Sequence, residues 1–94
     1  MVKLNSINAL DELLNAFEKL KYSEFKSIQI LEKLSLGQNV VDVVLDLKKV
    51  GYTNSEANYL IDRYWTENDI KLDRTKYLTE YIKEFKDAKK NKMN

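Results

Sequence analysis

Acid–base and nucleophilic catalysis at neutral pH need a side chain whose proton affinity can be set near neutrality, and this chain holds neither His nor Cys. Carboxylates, Lys and Tyr remain. Glu67, Asp69 and Asp73 stand close together, and Glu67-Asn68-Asp69-Ile70-Lys71 spells a fragment of the acidic-x-Lys pattern of metal-dependent nucleases. That chemistry displays its carboxylates at strand ends, and no sheet is evident here, so Glu67 and Asp69 read as solvated connector residues suited to a helix N-terminus. An EF-hand loop would need a Gly at its sharp turn, which the segment lacks. There is no Gly-rich phosphate loop and no nucleophile elbow. Asp42 and Asp46 lie one helical turn apart and read as a solvated face rather than an acidic patch for a basic partner. The expectation is a non-catalytic protein with no cofactor, no metal site and no small-molecule substrate.

The elements that must carry these residues follow from composition and spacing. Ninety-four residues make one small domain with one core. Apolar residues at 44% and charged residues at 33% are the balance of a folded chain. With no Pro and two Gly, the chain cannot supply the turns of a sandwich or barrel. A net charge of +1 makes the whole no electrostatic magnet for DNA or membranes. Charge is uneven, because residues 76–94 hold six Lys against three acids. Charges interrupt every apolar stretch, far short of a membrane span, and Met1-Val2-Lys3-Leu4-Asn5 leads into no apolar signal region, so a cytoplasmic location is expected. The Lys- and Asn-heavy, Pro-free usage fits an AT-rich genome, such as that of a low-GC bacterium or its phages or plasmids.

Ile7, Leu10, Leu13, Leu14, Phe17 and Leu20 fall on one stripe of a helix over about 7–21, with Ser6 or Asn8 as its cap. Ser23 opens a second helix, about 24–35, whose apolar face is Phe25, Ile28, Leu31 and Leu34, widened by Ile30; Gly37 ends it. Val40 to Val50 is β-branched and strand-prone in isolation. Asn39 as a cap, the 3–4 spacing of Val40, Val43, Val44, Leu47 and Val50, and Gly51 just past the end favour a helix instead. Thr53-Asn54-Ser55-Glu56 is a capping box, and Ala57, Leu60, Ile61 and Tyr64 give the next helix its buried face. Thr66 to Leu72 reads as a connector. Asp73 caps a last helix running to about Lys89, with Leu78, Tyr81, Ile82 and Phe85 inward and a frayed tail over about 90–94. The expected fold is all-α, a compact single-domain bundle of four to five short helices containing a central helix-turn-helix.

Aromatic residues make up 11% of the chain and crowd between Tyr52 and Phe85. Neighbouring Tyr64 and Trp65 point about 100° apart on a helix, so both cannot face one core. Trp65 either closes one end of the bundle under the connector or stands at the surface as an interface anchor.

The run from Val43 to Ala57, through Lys48-Lys49-Val50-Gly51-Tyr52-Thr53-Asn54-Ser55-Glu56, resembles the first two helices of ubiquitin-associated-like (UBA-like) domains and of the RuvA C-terminal domain. In those, a helix ends in a Gly-aromatic turn and the next opens with a Ser/Thr cap followed by Glu-Ala. The resemblance covers about residues 43–65 and implies a helical module that binds protein partners through Gly51, Tyr52 and the last helix. The same stretch also resembles a DNA-binding helix-turn-helix with residues 54–65 as recognition helix. That alternative would use Lys48, Lys49, Asn54, Ser55, Asn58 and Arg63, against the unfavourable charges of Glu56 and Asp62. The leading expectation is a protein-binding module, such as a phage- or plasmid-borne regulator or inhibitor, docking on a host or self protein. Its surface would join Gly51, Tyr52 and Thr53 to Tyr59, Tyr64, Trp65, Tyr77 and Tyr81. A monomer and a homodimer sharing that face fit the residues equally.

Overall fold

In the computed structural model, residues 8–68 and 74–92 are described, the side chains of 74–75 and 89–92 excepted. The described residues form an all-α single domain of five helices: α1 (Ala9–Lys19), α2 (Glu24–Ser35), α3 (Val40–Lys49), α4 (Asn54–Glu67) and α5 (Arg74–Lys92). Among the described residues there is no strand, and no helix is long and apolar enough to cross a membrane. The β-branched stretch from Val40 is helical because its 3–4 spacing buries Val43 and Leu47 and the turn at Gly51 closes its C-terminal end.

Among the described residues, helix α1 contributes the most buried ones. Ala9, Leu10, Leu13, Leu14, Ala16 and Phe17 are all buried. Leu31 and Leu34 of α2, Val43 and Leu47 of α3, Ala57, Leu60, Ile61 and Tyr64 of α4, and Leu78 and Ile82 of α5 complete the core. Helix α4 packs on α1 and α3, and α5 packs on α2. Lys86 of α5 also reaches Glu18 of α1 at 3.8 Å.

Three connections share one backbone device. Past α1, α2 and α3 the residues Lys21, Gly37 and Gly51 take positive φ, at 65°, 80° and 108°. At each, the next residue's N–H reaches back five residues: Tyr22 to the Phe17 carbonyl, Gln38 to Lys33 and Tyr52 to Leu47, at 3.0, 2.9 and 3.1 Å. These are Schellman turns, which satisfy the carbonyls that a helix end leaves bare. In the first, the Tyr22 ring packs on Phe17 with centroids 5.6 Å apart, the apolar contact that accompanies the motif. Lys21 occupies a position where Gly is at ease and a Cβ is not.

At the N-termini, Asn8 accepts from the Asp11 N–H at 2.8 Å, Ser23 from Lys26 at 3.1 Å, and Thr53 and Glu56 close the capping box. Asn39 occupies the cap position of α3 in the left-handed conformation (φ 62°), with no side-chain cap hydrogen bond. Ser6, Ile7 and Asp73, expected at the first and last helix starts, lie outside the described residues.

Three expectations need correction. Phe25 is 68% exposed and Ser27 is buried in its stead, because the buried arc of α2 runs through Ser27, Leu31 and Leu34. Thr66 and Glu67 belong to α4 rather than to a connector. Helix α5 continues to Lys92, beyond the expected end at Lys89.

The two phenylalanines therefore separate sharply in urea unfolding. Phe17→Ala should cost about 3–5 kcal/mol, and Phe25→Ala no more than about 0.5 kcal/mol. Lys21→Gly should raise stability by about 0.5–1 kcal/mol, read as a higher midpoint at unchanged slope.

Candidate functional site

The aromatic residues expected on one face are divided among three places. Tyr64 is 2% exposed and belongs to the core. Its hydroxyl donates to the Leu31 carbonyl at 3.2 Å and lies 2.7 Å from Ser35 Oγ, so burial leaves the phenol with partners. It is no surface anchor. Trp65, on the adjacent arc of α4, is 37% exposed and donates its indole N–H to the Leu34 carbonyl at 2.7 Å. Tyr64 and Trp65 thus clamp the last turn of α2.

Tyr77 and Tyr81 are half-buried on α5, with rings 5.8 Å apart. The Tyr81 hydroxyl donates to Asp11 at 2.6 Å and lies 3.3 Å from the Asn8 amide; Tyr77 reaches Asn68 at 3.5 Å. They belong to the end of the bundle where α1 begins.

Gly51, Tyr52, Thr53 and Tyr59 meet at the α3–α4 corner. There, Val50, Gly51, Tyr52, Tyr59 and Leu60 line a notch of about 390 Å³ rimmed by Glu12, Glu56 and Arg63. Tyr52 is half-buried and its hydroxyl donates to Glu12 at 3.0 Å. Tyr59 is 66% exposed, with the Arg63 guanidinium carbon 6.0 Å from its ring centroid. The notch is preformed, because Gly51 and Tyr52 are held by a Schellman turn and Thr53 by the capping box.

Arg63 is committed inside the protein. It donates from Nη1 to Glu12 at 2.9 Å and from Nε to Glu67 at 3.1 Å. The other oxygen of Glu67 accepts the Ala9 N–H at 2.7 Å, at the first turn of buried α1. Glu67 is therefore no connector residue: exposed at the end of α4, it closes a chain of contacts from Tyr52 through Glu12 and Arg63 to the start of α1. That Ala9 hydrogen bond holds the Glu67 carboxyl below its usual range, with Arg63 adding to the effect against a desolvation cost. Of the alternative DNA-contact set, Lys48, Lys49, Asn54, Ser55 and Asn58 are exposed, but Arg63 is not available to a base edge without breaking two ion pairs. Asn58 donates to the Asn54 carbonyl at 2.9 Å, and Glu56 and Asp62 are exposed on the same helix.

Tyrosine ionisation moves away from neutrality. Burial first, and then the neighbouring carboxylates, push Tyr52 (Glu12), Tyr81 (Asp11) and Tyr22 (Asp46) up to about 12. Burial and Asp11 raise Tyr77 as well. Such phenols serve as hydrogen-bond donors and apolar surface rather than as proton acceptors near neutral pH. Asp69, Asp73 and Lys71, from the acidic segment, lie outside the described residues.

Sequence spacing does not reveal two features. The first is the Glu12–Arg63–Glu67 relay; Arg63 and Glu67 stand at i, i+4, a signal available once α4 is extended to Glu67, but Glu12 is brought in by packing. The second is a cleft of about 670 Å³ between α2 and α3, lined by Tyr22, Lys26, Ile30, Leu45, Asp46 and Lys49 among others. Lys26 sits over the Tyr22 ring at 4.3 Å, and Asp46, read as a solvated acid, is instead largely covered against Tyr22 and Lys49.

Comparison of this chain with protein-family models, curated proteins and solved structures finds no match.

The relay makes stability depend on acidity in a defined direction. Because Glu67 is held ionised in the folded chain, its contribution is complete above the ordinary carboxylate range and is lost as pH falls through the lowered folded value. Glu67→Gln should cost about 1 kcal/mol at neutral pH. The gap between wild type and variant should shrink as the pH of urea unfolding is lowered below the ordinary carboxylate range.

Proposed function

We propose that this protein is a non-catalytic protein-binding module, of the kind a phage- or plasmid-borne regulator or inhibitor would use, and that it docks a partner protein at the α3–α4 corner. One observation carries the reading: Tyr59 is held 66% exposed on the rim of a preformed notch whose other wall is Tyr52. A tyrosine presents a large rigid ring with a polar tip, which is why interfaces use it as an anchor. The notch would seat an apolar side chain of the partner between the two rings, and Glu56 on its rim favours a basic residue beside it. Its place at Gly51 and Tyr52 is also where the resemblance to UBA-like modules puts the partner contact. Confinement of Tyr64, and the separation of Trp65, Tyr77 and Tyr81 from the notch, reduce the docking surface to Gly51, Tyr52, Thr53 and Tyr59.

The test is capture of a partner by tagged protein from a low-GC bacterial lysate, repeated with Tyr59→Ala and with Trp65→Ala. Tyr59→Ala should lower capture at least tenfold, equivalent to about 1.4 kcal/mol, while its far-UV circular dichroism is unchanged. Trp65→Ala should retain capture. Equal loss in both variants, or salt-sensitive duplex DNA binding that weakens with Lys48→Ala, would overturn the proposal.

A further inference from the structure

Helix α3 carries a second surface that the notch does not use. Val43 and Leu47 face the core, and on the opposite arc Val41 is 70% and Leu45 51% exposed. These two are one helical turn apart and form an apolar ridge. Exposed Asp42 flanks the ridge at its N-terminal end, and exposed Lys48 and Lys49 flank it at its C-terminal end. Leu45 also belongs to the rim of the α2–α3 cleft.

This charge order is complementary to itself when reversed. On a helical wheel with Leu45 at the centre, Asp42 and Lys49 fall on the same flank, about 60° and 40° from it, and Val41 and Lys48 on the other. A two-fold axis through Leu45 that sets one α3 antiparallel to another preserves each flank and inverts the ends. Asp42 then comes level with Lys49 of the second copy to within about one residue's rise, twice by symmetry, and Leu45 meets Leu45. Val41 lies against the aliphatic stem of Lys48 in the second copy. A parallel pair would instead set like charges side by side.

We propose that α3 is a homodimer interface, its occupant a second copy of this chain docked antiparallel along Val41 and Leu45. The two notches at the α3–α4 corners are then presented as a symmetric pair. The contact is short, since ten residues of helix span about 15 Å, so the area is small beside the ~1,200–2,000 Å² of a stable complex. The dimer is accordingly weak and concentration-dependent. Lys49 is free to take part, because its 3.8 Å contact with Asp46 leaves its side chain 67% exposed.

Sedimentation velocity from about 10 µM to about 1 mM tests this, with circular dichroism confirming that each variant is folded. Wild type should shift from monomer toward dimer across the range. Leu45→Glu should remain monomeric, and the residue's exposure spares the core. Asp42→Lys and Lys49→Asp should each weaken the dimer about tenfold, and the two together should restore it. Tyr59→Ala should dimerise like wild type, which separates this face from the notch. A wild type that stays monomeric at the highest concentration overturns the proposal and leaves the ridge to another protein. A dimer indifferent to Leu45→Glu, or a charge exchange without recovery, overturns it equally.

Discussion

The start of α1 imposes the constraint around which the rest is arranged. The helix buries six of its eleven residues, and its first residue, Ala9, is fully covered. A helix N-terminus leaves backbone N–H groups unpaired, and in a buried place water cannot serve them. Asn8 takes the N–H of Asp11, and Glu67, from the far end of α4, takes that of Ala9. A carboxylate is well suited there, since the helix dipole is positive at that end. Arg63 adds a cation beside it while also binding Glu12 from α1 itself. The angle between α1 and α4 is thus tied by polar contacts at the edge of an otherwise apolar interface.

That arrangement has consequences for the surface. Once Arg63 is drawn to Glu12 and Glu67, the exposed residues of α4 are Asn54, Ser55, Glu56, Asn58, Tyr59, Asp62, Trp65, Thr66 and Glu67, a surface without a cation of its own. Glu12, fixed by Arg63, in turn positions the Tyr52 hydroxyl and hence one wall of the notch. Tyr64 and Trp65 are spent on the carbonyls of α2, so the aromatic content that remains for docking at this corner is Tyr52 and Tyr59.

Much of the secondary structure is legible from local chemistry. Gly51 and Thr53-Asn54-Ser55-Glu56 specify a helix end and a helix start within six residues, and both are found as the residues dictate. The α1 stripe from Leu10 to Phe17 is equally plain, because its 3–4 spacing admits one buried face. Phe25 shows where such reasoning stops. Its spacing to Ile28 and Leu31 is helical, but the buried arc of α2 is turned toward Ser27, and only the neighbours of a helix decide which arc they cover. Lys21 illustrates the converse, since a Schellman turn is made there without the Gly that would announce it.

By itself, then, the amino-acid order determined four to five amphipathic helices, the caps of α1, α2 and α4 and most of the core, because each depends on residues within about four positions of one another. The tertiary structure alone decided which aromatics are buried and which carboxylates are engaged. Glu12 and Glu67 are fifty-five positions apart, and Tyr81 and Asp11 seventy. No local periodicity encodes those distances. They arise when the helices are laid side by side and every buried polar group must find a partner.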